Sequence, residues 1–255
     1  MLLKRIIPIL LLNEGSLVKT IKFGRYKYIG DPCNTVRIFN ELEVDELIFL
    51  DIKATQKNKE PDYTILREIA EECFMPLTYG GAISKIEQAK KIFDTGFEKI
   101  SINTSALKNP NLIRKLSKEF GTQSIVCSID LKESYWKDYK VFSKNAKSIA
   151  KKLKYMDWIK RVEELGAGEI LLTNVDREGT WSGFDKSLIK KINKEVSIPV
   201  IFHGGASSNK DIIDLFQIHN LTAVGIGSLA VFQKKDMGVL VNFPEENEIQ
   251  KILDN

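Results

Sequence analysis

Eight short apolar runs punctuate the chain: RIIPILLL, ELIFLDI, MPLTYGG, EKISINT, SIVCSIDL, GEILLTNVD, IPVIFHGG and TAVGIGS. Each is short and rich in Ile, Leu and Val, the pattern of a strand covered on both faces. Between them lie stretches with apolar residues spaced three and four apart, among them NTVRIFNELE, YTILREIAEECF, KIEQAKKIFDTG, NLIRKLSKEFG, DWIKRVEELGAG, SLIKKINKEV and NKDIIDLFQIHN. These predict amphipathic helices. Strands alternating with helices imply parallel pairing through right-handed crossovers. Eight such units predict an α/β fold of the (β/α)8 TIM-barrel type rather than an open doubly wound sheet.

The pattern also repeats itself. MPLTYGGAIS, Met75 to Ser84, returns as IPVIFHGGASS, Ile198 to Ser208. DELIFLDIKAT pairs with AGEILLTNVDREGT, and KISINTSAL with VGIGSLAV. Such self-similarity predicts a half-barrel written twice, about 1–122 and 123–235, within one domain spanning 1–255, with a divergent C-terminal tail at 236–255. Equivalent strand ends then face each other across one barrel.

Composition narrows the class without identifying it. With 255 residues, 43% hydrophobic and 28% charged, the chain can bury a large core. The apolar run in MLLKRIIPILLLNEG is short, Pro-interrupted and without a cleavage motif, so no secretory signal is expected, and no apolar run is long enough for a membrane span. Three cysteines without metal-type spacing fit a reducing, cytoplasmic setting. The net charge of +4 is spread along the chain, which argues against nucleic acid; Lys-rich stretches such as KNAKSIAKKLK read as solvated helix faces. With two histidines and no Cys/His cluster, neither a metal nor a cofactor is expected.

In a barrel the loops after the strands form the working face, and Gly-Gly lets backbone amides approach a ligand. One anion site is expected at Gly80, Gly81, Asn103 and Thr104, and its counterpart at Gly204, Gly205, Gly227 and Ser228. A lone Gly-Gly is more often a tight turn; two symmetric copies imply a ligand with a phosphate at each end. His203, beside Gly204, can reach that ligand. His219 reads as a surface or capping residue. KESYWKDYKVFSKNAK is long for a loop and predicts a hairpin over the mouth, with Trp136 as a lid contact, while Trp181 is placed to cover the second phosphate.

From Met1 to about Phe232 the chain resembles the cyclase subunit of imidazole glycerol phosphate synthase, a barrel of the histidine pathway that takes ammonia from a glutaminase partner and uses it on a bis-phosphorylated aminoimidazole ribonucleotide. KRIIP, LVKTIKFG, GDP, DELIFLDI, KISINTSAL, SIDLK, GAGEILLTNVDREGTWSGFD and IPVI followed by GGA carry the likeness. The resemblance implies that Asp130 is the general base and Lys19 a flexible-loop lysine. It implies first-phosphate contacts at Asn103 and Thr104 and second-phosphate contacts at Asp176, Arg177, Gly205 and Ser228. Thr173 would touch the substrate; independently of the resemblance, Asp51, which ends the second barrel strand, is expected to line the mouth. Arg5, Glu46, Lys99 and Glu169 would form a charged ring admitting ammonia at the opposite end, onto which the glutaminase docks. Independently of the family, these four residues begin strands and can converge on the barrel floor, where buried charges must pair; a plain stabilising role fits the same placement.

The pattern breaks at three places. Cyclisation in the family uses two facing carboxylates, a general acid on strand one and a base on strand five, and the strand-one position is Leu11. Asn13 is an amide further along the strand, and Glu14 should point to the opposite side. Ala82 stands where the family continues Gly-Gly-Gly, so a methyl crowds the first phosphate while its backbone donor remains. KKDMGVLVNFPEENEI replaces the usual closing helix. RIIPILLL, GSLVKTIKF, KYIGDP and VLVNFP look like a paralogous branch found with surface-polysaccharide genes, whose members are thought to pass ammonia to an amidotransferase that makes an acetamidino group on a sugar. The leading expectation is therefore an ammonia-receiving barrel in such a complex; an active cyclase and a non-catalytic scaffold that activates the glutaminase remain as alternatives.

Overall fold

The computed structural model describes residues 4–135 and 138–244. In chain order the elements are β1 (Arg5–Asn13), β2 (Ser16–Thr20), β3 (Tyr26–Gly30), α1 (Pro32–Glu41), β4 (Leu47–Asp51), α2 (Tyr63–Glu72), β5 (Leu77–Gly80), α3 (Ile86–Phe93), β6 (Lys99–Ile102), α4 (Thr104–Lys108) and α5 (Asn111–Phe120). The second half continues with β7 (Ile125–Glu133), β8 (Tyr139–Phe142), α6 (Lys147–Ala150), α7 (Tyr155–Glu164), β9 (Glu169–Asn174), α8 (Lys186–Asn193), β10 (Val200–His203), α9 (Asn209–Phe216), β11 (Ala223–Ile226) and α10 (Ser228–Val231).

Strands β1, β4, β5, β6, β7, β9, β10 and β11 pair in parallel in that order, and β11 returns to β1 with Arg5 opposite Ala223, closing an eight-stranded barrel. The eight apolar runs are these eight strands. Because side chains alternate along a strand, each run feeds two cores. Ile7, Ile9, Ile48, Val126, Leu171, Ile201 and Ala223 fill the inside of the barrel. Partners such as Leu10, Leu47, Leu77, Ile100 and Val224 pack outward under the helices. Local capping starts several helices: Asp31 accepts from Asn34 N ahead of Pro32, Asp185 from Ser187 N and Leu188 N, and Ser208 from Asp211 N.

Two antiparallel hairpins depart from the repeat. β2 and β3 fold back on the end of β1, and β8 folds back on the end of β7, as expected for the segment after the fifth barrel strand. Trp136 lies outside the described residues. The hairpins rise from the first strand of each half and meet over the mouth. The Phe23 and Phe142 rings are 6.1 Å apart, and Lys144 Nζ donates to Phe23 O at 2.6 Å.

Among the described residues the only helix after β11 is the single turn α10. After it the chain doubles back: Phe232 bridges Val239, Leu240 N donates to Val231 O and Asn242 N to Ala230 O. Phe243, at the end of this return, is buried against the core.

Candidate functional site

At the N-terminal ends of the strands, Arg5, Glu46, Lys99 and Glu169 converge into a closed ring of ion pairs. Arg5 bonds Glu46 at 2.7 Å and also pairs with Glu169; Lys99 bonds Glu46 at 3.0 Å and Glu169 at 3.1 Å. Positive and negative groups alternate, so each charge has two opposite neighbours. Burial works against the Arg5 charge, but Glu169 and Glu46 outweigh it and hold the guanidinium above its ordinary value. Thr78 Oγ1 donates to Glu46 at 3.3 Å. Two residues above Lys99 on the same face of β6, the Ser101 hydroxyl is buried with no partner among the described residues.

At the other end a cavity of about 630 Å³ opens under the hairpins. Asp130 and Leu11 both line it, from strands on opposite sides of the barrel, as do Asp51, Gly80, Gly81, Asn103, Thr104 and Thr173. Leu11 therefore points into the mouth. Asp130 accepts from Asn103 Nδ2 at 2.8 Å. Burial pushes its carboxyl up to about 7; Asn103 opposes the rise and the Glu178 charge adds to it. Such a carboxyl can exchange a proton near neutrality. Glu14 is exposed and paired with Lys57, away from this cavity. Asp51 spends one oxygen on Lys53 N and Ala54 N.

The first glycine turn is not free to cradle an anion in this conformation. Ala82 has a left-handed φ of 52° and its N–H donates to Thr55 Oγ1 at 3.1 Å, so the backbone donor expected to remain is already used. The second turn comprises Gly204, Gly205, Gly227 and Ser228 around a pocket of only about 10 Å³. Gly205 has φ +114° and packs against Gly183, where a Cβ would lie 2.2 Å from the carbonyl oxygen. A Cβ on Gly227 would meet Lys19 Cε at 2.8 Å and His203 Nε2 at 3.2 Å. The Lys19 side chain thus fills the second pocket.

Several assignments move. Lys19 is not on a loop: it sits on β2, buried and paired with Glu178, with Nζ also donating to Thr20 O at 3.2 Å. Asp176 and Arg177 do not line the second pocket. Asp176 accepts from Glu133 N at 2.6 Å, bracing the β7–β8 hairpin, and Arg177 donates to Gly183 O at 2.9 Å, holding its own loop. Trp181 lines neither pocket. His203 is buried with Nδ1 3.3 Å from Thr173 Oγ1, and burial together with the nearby Lys19 lowers it to about 3, so it stays neutral. His219 is exposed, and its carbonyl accepts from Asn193.

Glu178 was not singled out by the sequence, although it lies inside the phrase LLTNVDREGT. It is buried beside the mouth and fastens the turn between β2 and β3, accepting from Lys19, from Thr20 Oγ1 at 3.0 Å and from Phe23 N at 3.2 Å. Among the described residues no group of three or more His, Cys, Asp or Glu is placed to hold a metal, and no helix is long and apolar enough to cross a membrane.

A family profile described as "Histidine biosynthesis protein" matches residues 5–236, nearly the whole described barrel. The chain belongs to this family. Within the histidine biosynthesis family, it is 49% identical over 249 residues to a Pseudomonas aeruginosa protein provisionally named imidazole glycerol phosphate synthase subunit hisF2, covering 98% of this chain and 99% of that one. It is 46% identical over 246 residues, 96% of each chain, to a similarly provisional HisF subunit of Leptospira borgpetersenii. A Methanococcus vannielii protein named imidazole glycerol phosphate synthase subunit HisF, without that qualification, is 39% identical over 268 residues, 98% of each chain.

Proposed function

We propose that the protein is the ammonia-receiving barrel of a glutamine amidotransferase complex, in which the entrance for ammonia is kept and cyclisation is reduced or lost. A glutaminase docks on the N-terminal floor. Ammonia passes the ring of Arg5, Glu46, Lys99 and Glu169, which a small neutral molecule crosses when one ion pair swings aside, and the unpartnered Ser101 hydroxyl offers it a hydrogen bond just beyond. It emerges in the mouth and is handed to a sugar amidotransferase that forms an acetamidino group on a surface-glycan precursor, in the cytoplasm. The name "synthase subunit" carried by the relatives supports a partnered protein.

One observation carries this reading: the aliphatic side chain of Leu11 faces the cavity opposite Asp130, while all four charges of the floor remain paired. A base without an acid can remove a proton but not return one to the leaving group. The Glu178 carboxylate does share the cavity, but its oxygens are committed to Lys19, Thr20 and Phe23.

A second reading, an active cyclase with Asp130 as base and Asn103 and Thr104 holding one phosphate, is favoured by the Asp130 carboxyl being poised near neutrality. The purified chain, given ammonium salt and the bis-phosphorylated aminoimidazole ribonucleotide, separates them. Little or no turnover by the natural chain, with a gain of about 10²–10⁴-fold in Leu11→Asp, is the expected result. Turnover by the natural chain comparable to that of an authentic cyclase would sink the proposal. Inertness of both proteins, together with stimulation of the glutaminase on mixing, would leave a conduit or a non-catalytic scaffold.

A further inference from the structure

The two ends of the mouth are unequal in a way the repeated glycine phrases do not announce. At the second end, about 10 Å³ remains around Gly204, Gly205, Gly227 and Ser228, the room of a single water. The obstruction is not a loose side chain. Lys19 is buried, its ammonium bonds the buried Glu178 carboxylate, and that carboxylate also anchors Thr20 and Phe23. Withdrawing Lys19 would strand a buried charge and free the turn, a costly exchange.

The first end is the reverse. The cavity of about 630 Å³ is the size of a small-molecule site, far more than an inorganic anion needs. Lys53, Lys59, Lys85, Lys108 and Lys144 all lie on its wall. Lys53 donates to Gln56 at 3.3 Å and Lys144 to Phe23 O, while Lys59 lies in the field of Glu14. Lys85 and Lys108 form no ion pair among the described residues, and they follow the Gly80–Ala82 turn and the Asn103–Thr104 strand end respectively. Of the acidic residues at this end, Asp51 spends one oxygen on Lys53 N and Ala54 N, and Glu60 accepts from Gln88 at 3.4 Å.

We infer that the mouth takes a phosphorylated organic molecule by one end only, its phosphate or diphosphate held between Lys85 and Lys108 and its uncharged remainder lying toward Asp130 and Leu11. This rests on one element of the second reading, a phosphate held at the strand ends beside Asn103 and Thr104, and specifies the ligand's class: singly anchored, as a nucleoside diphosphate ester is, rather than anchored at both ends.

Calorimetric titration of the full chain tests it, with uridine 5′-diphosphate as the singly anchored probe and the bis-phosphorylated ribonucleotide as the doubly anchored one. The diphosphate should bind 1:1 at least as tightly as the two-ended ligand, and Lys85→Ala/Lys108→Ala, both at exposed positions that leave the core intact, should weaken it about tenfold. Affinity unchanged in that double variant would overturn the inference. So would a two-ended ligand that binds ten times more tightly and loses its advantage in Ser228→Ala, a result that keeps the phosphate reading and rejects single anchoring. Failure of both ligands to bind would reject the phosphate reading itself.

Discussion

Asp130 shows how much one side chain's surroundings decide. Its carboxyl titrates near 7 in the folded protein because burial disfavours the charge, against an ordinary carboxylate value in the unfolded chain. Between those two values the native state holds a proton that the unfolded state does not, so stability falls as pH rises through this window. Asp130→Asn removes the effect: relative to the natural chain it should gain on the order of 2 kcal/mol between pH 5 and pH 8, read from urea midpoints at each pH. Ala82 carries a different cost. Its left-handed backbone suits glycine, and a methyl there is strained. Ala82→Gly should raise stability by about 1 kcal/mol and the melting temperature by a few degrees. If the melting temperature instead drops, the turn is held by the methyl and not strained by it.

At the scale of elements, two hairpins lie over the mouth, and Glu178 fastens one of them. Glu178→Gln leaves the Lys19 ammonium buried without its counter-charge and weakens the hold on Phe23 N. The β2–β3 segment, residues 16–30, should then exchange its amides at least tenfold faster while the barrel strands keep their protection, a contrast that hydrogen-exchange mass spectrometry resolves. Uniform loss of protection would mean that Glu178 supports the whole barrel and not the hairpin. The barrel strands were legible in the sequence because each is an unbroken apolar run, and the floor ring because its four charges begin those runs. The β2–β3 hairpin was not: SLVKT and YKYIG are only five residues each and neither keeps a regular polar–apolar period, so they do not stand out beside β1. The loop position that the resemblance implies for Lys19 gives way to a strand position, and nothing in its neighbourhood announces that Glu178, 159 positions away, will pair with it in the interior. Asp176 and Arg177 carry the right chemistry for a phosphate, but the loops they brace are set by tertiary contacts that no local pattern reveals.

Across the whole molecule, the barrel closes by joining β11 to β1, and that closure brings Arg5, Glu46, Lys99 and Glu169, at or just before the starts of four strands spread over the chain, into one ring of ion pairs. Leu11 and Asp130, facing each other from opposite walls, depend on the same closure. Two positive and two negative groups in alternation sum to zero charge, and their dipoles oppose one another as well. What remains is a quadrupole, whose potential dies away within a few ångströms and leaves almost nothing for dissolved ions to screen. On the proposed conduit reading, transfer of glutamine-derived ammonia through the natural floor should therefore be nearly indifferent to ionic strength. Lys99→Ala leaves two glutamates facing one arginine and turns the opening into an anionic port that attracts ammonium from outside. In that variant, leakage of external ammonium into the mouth should appear at low salt and fade as salt is added.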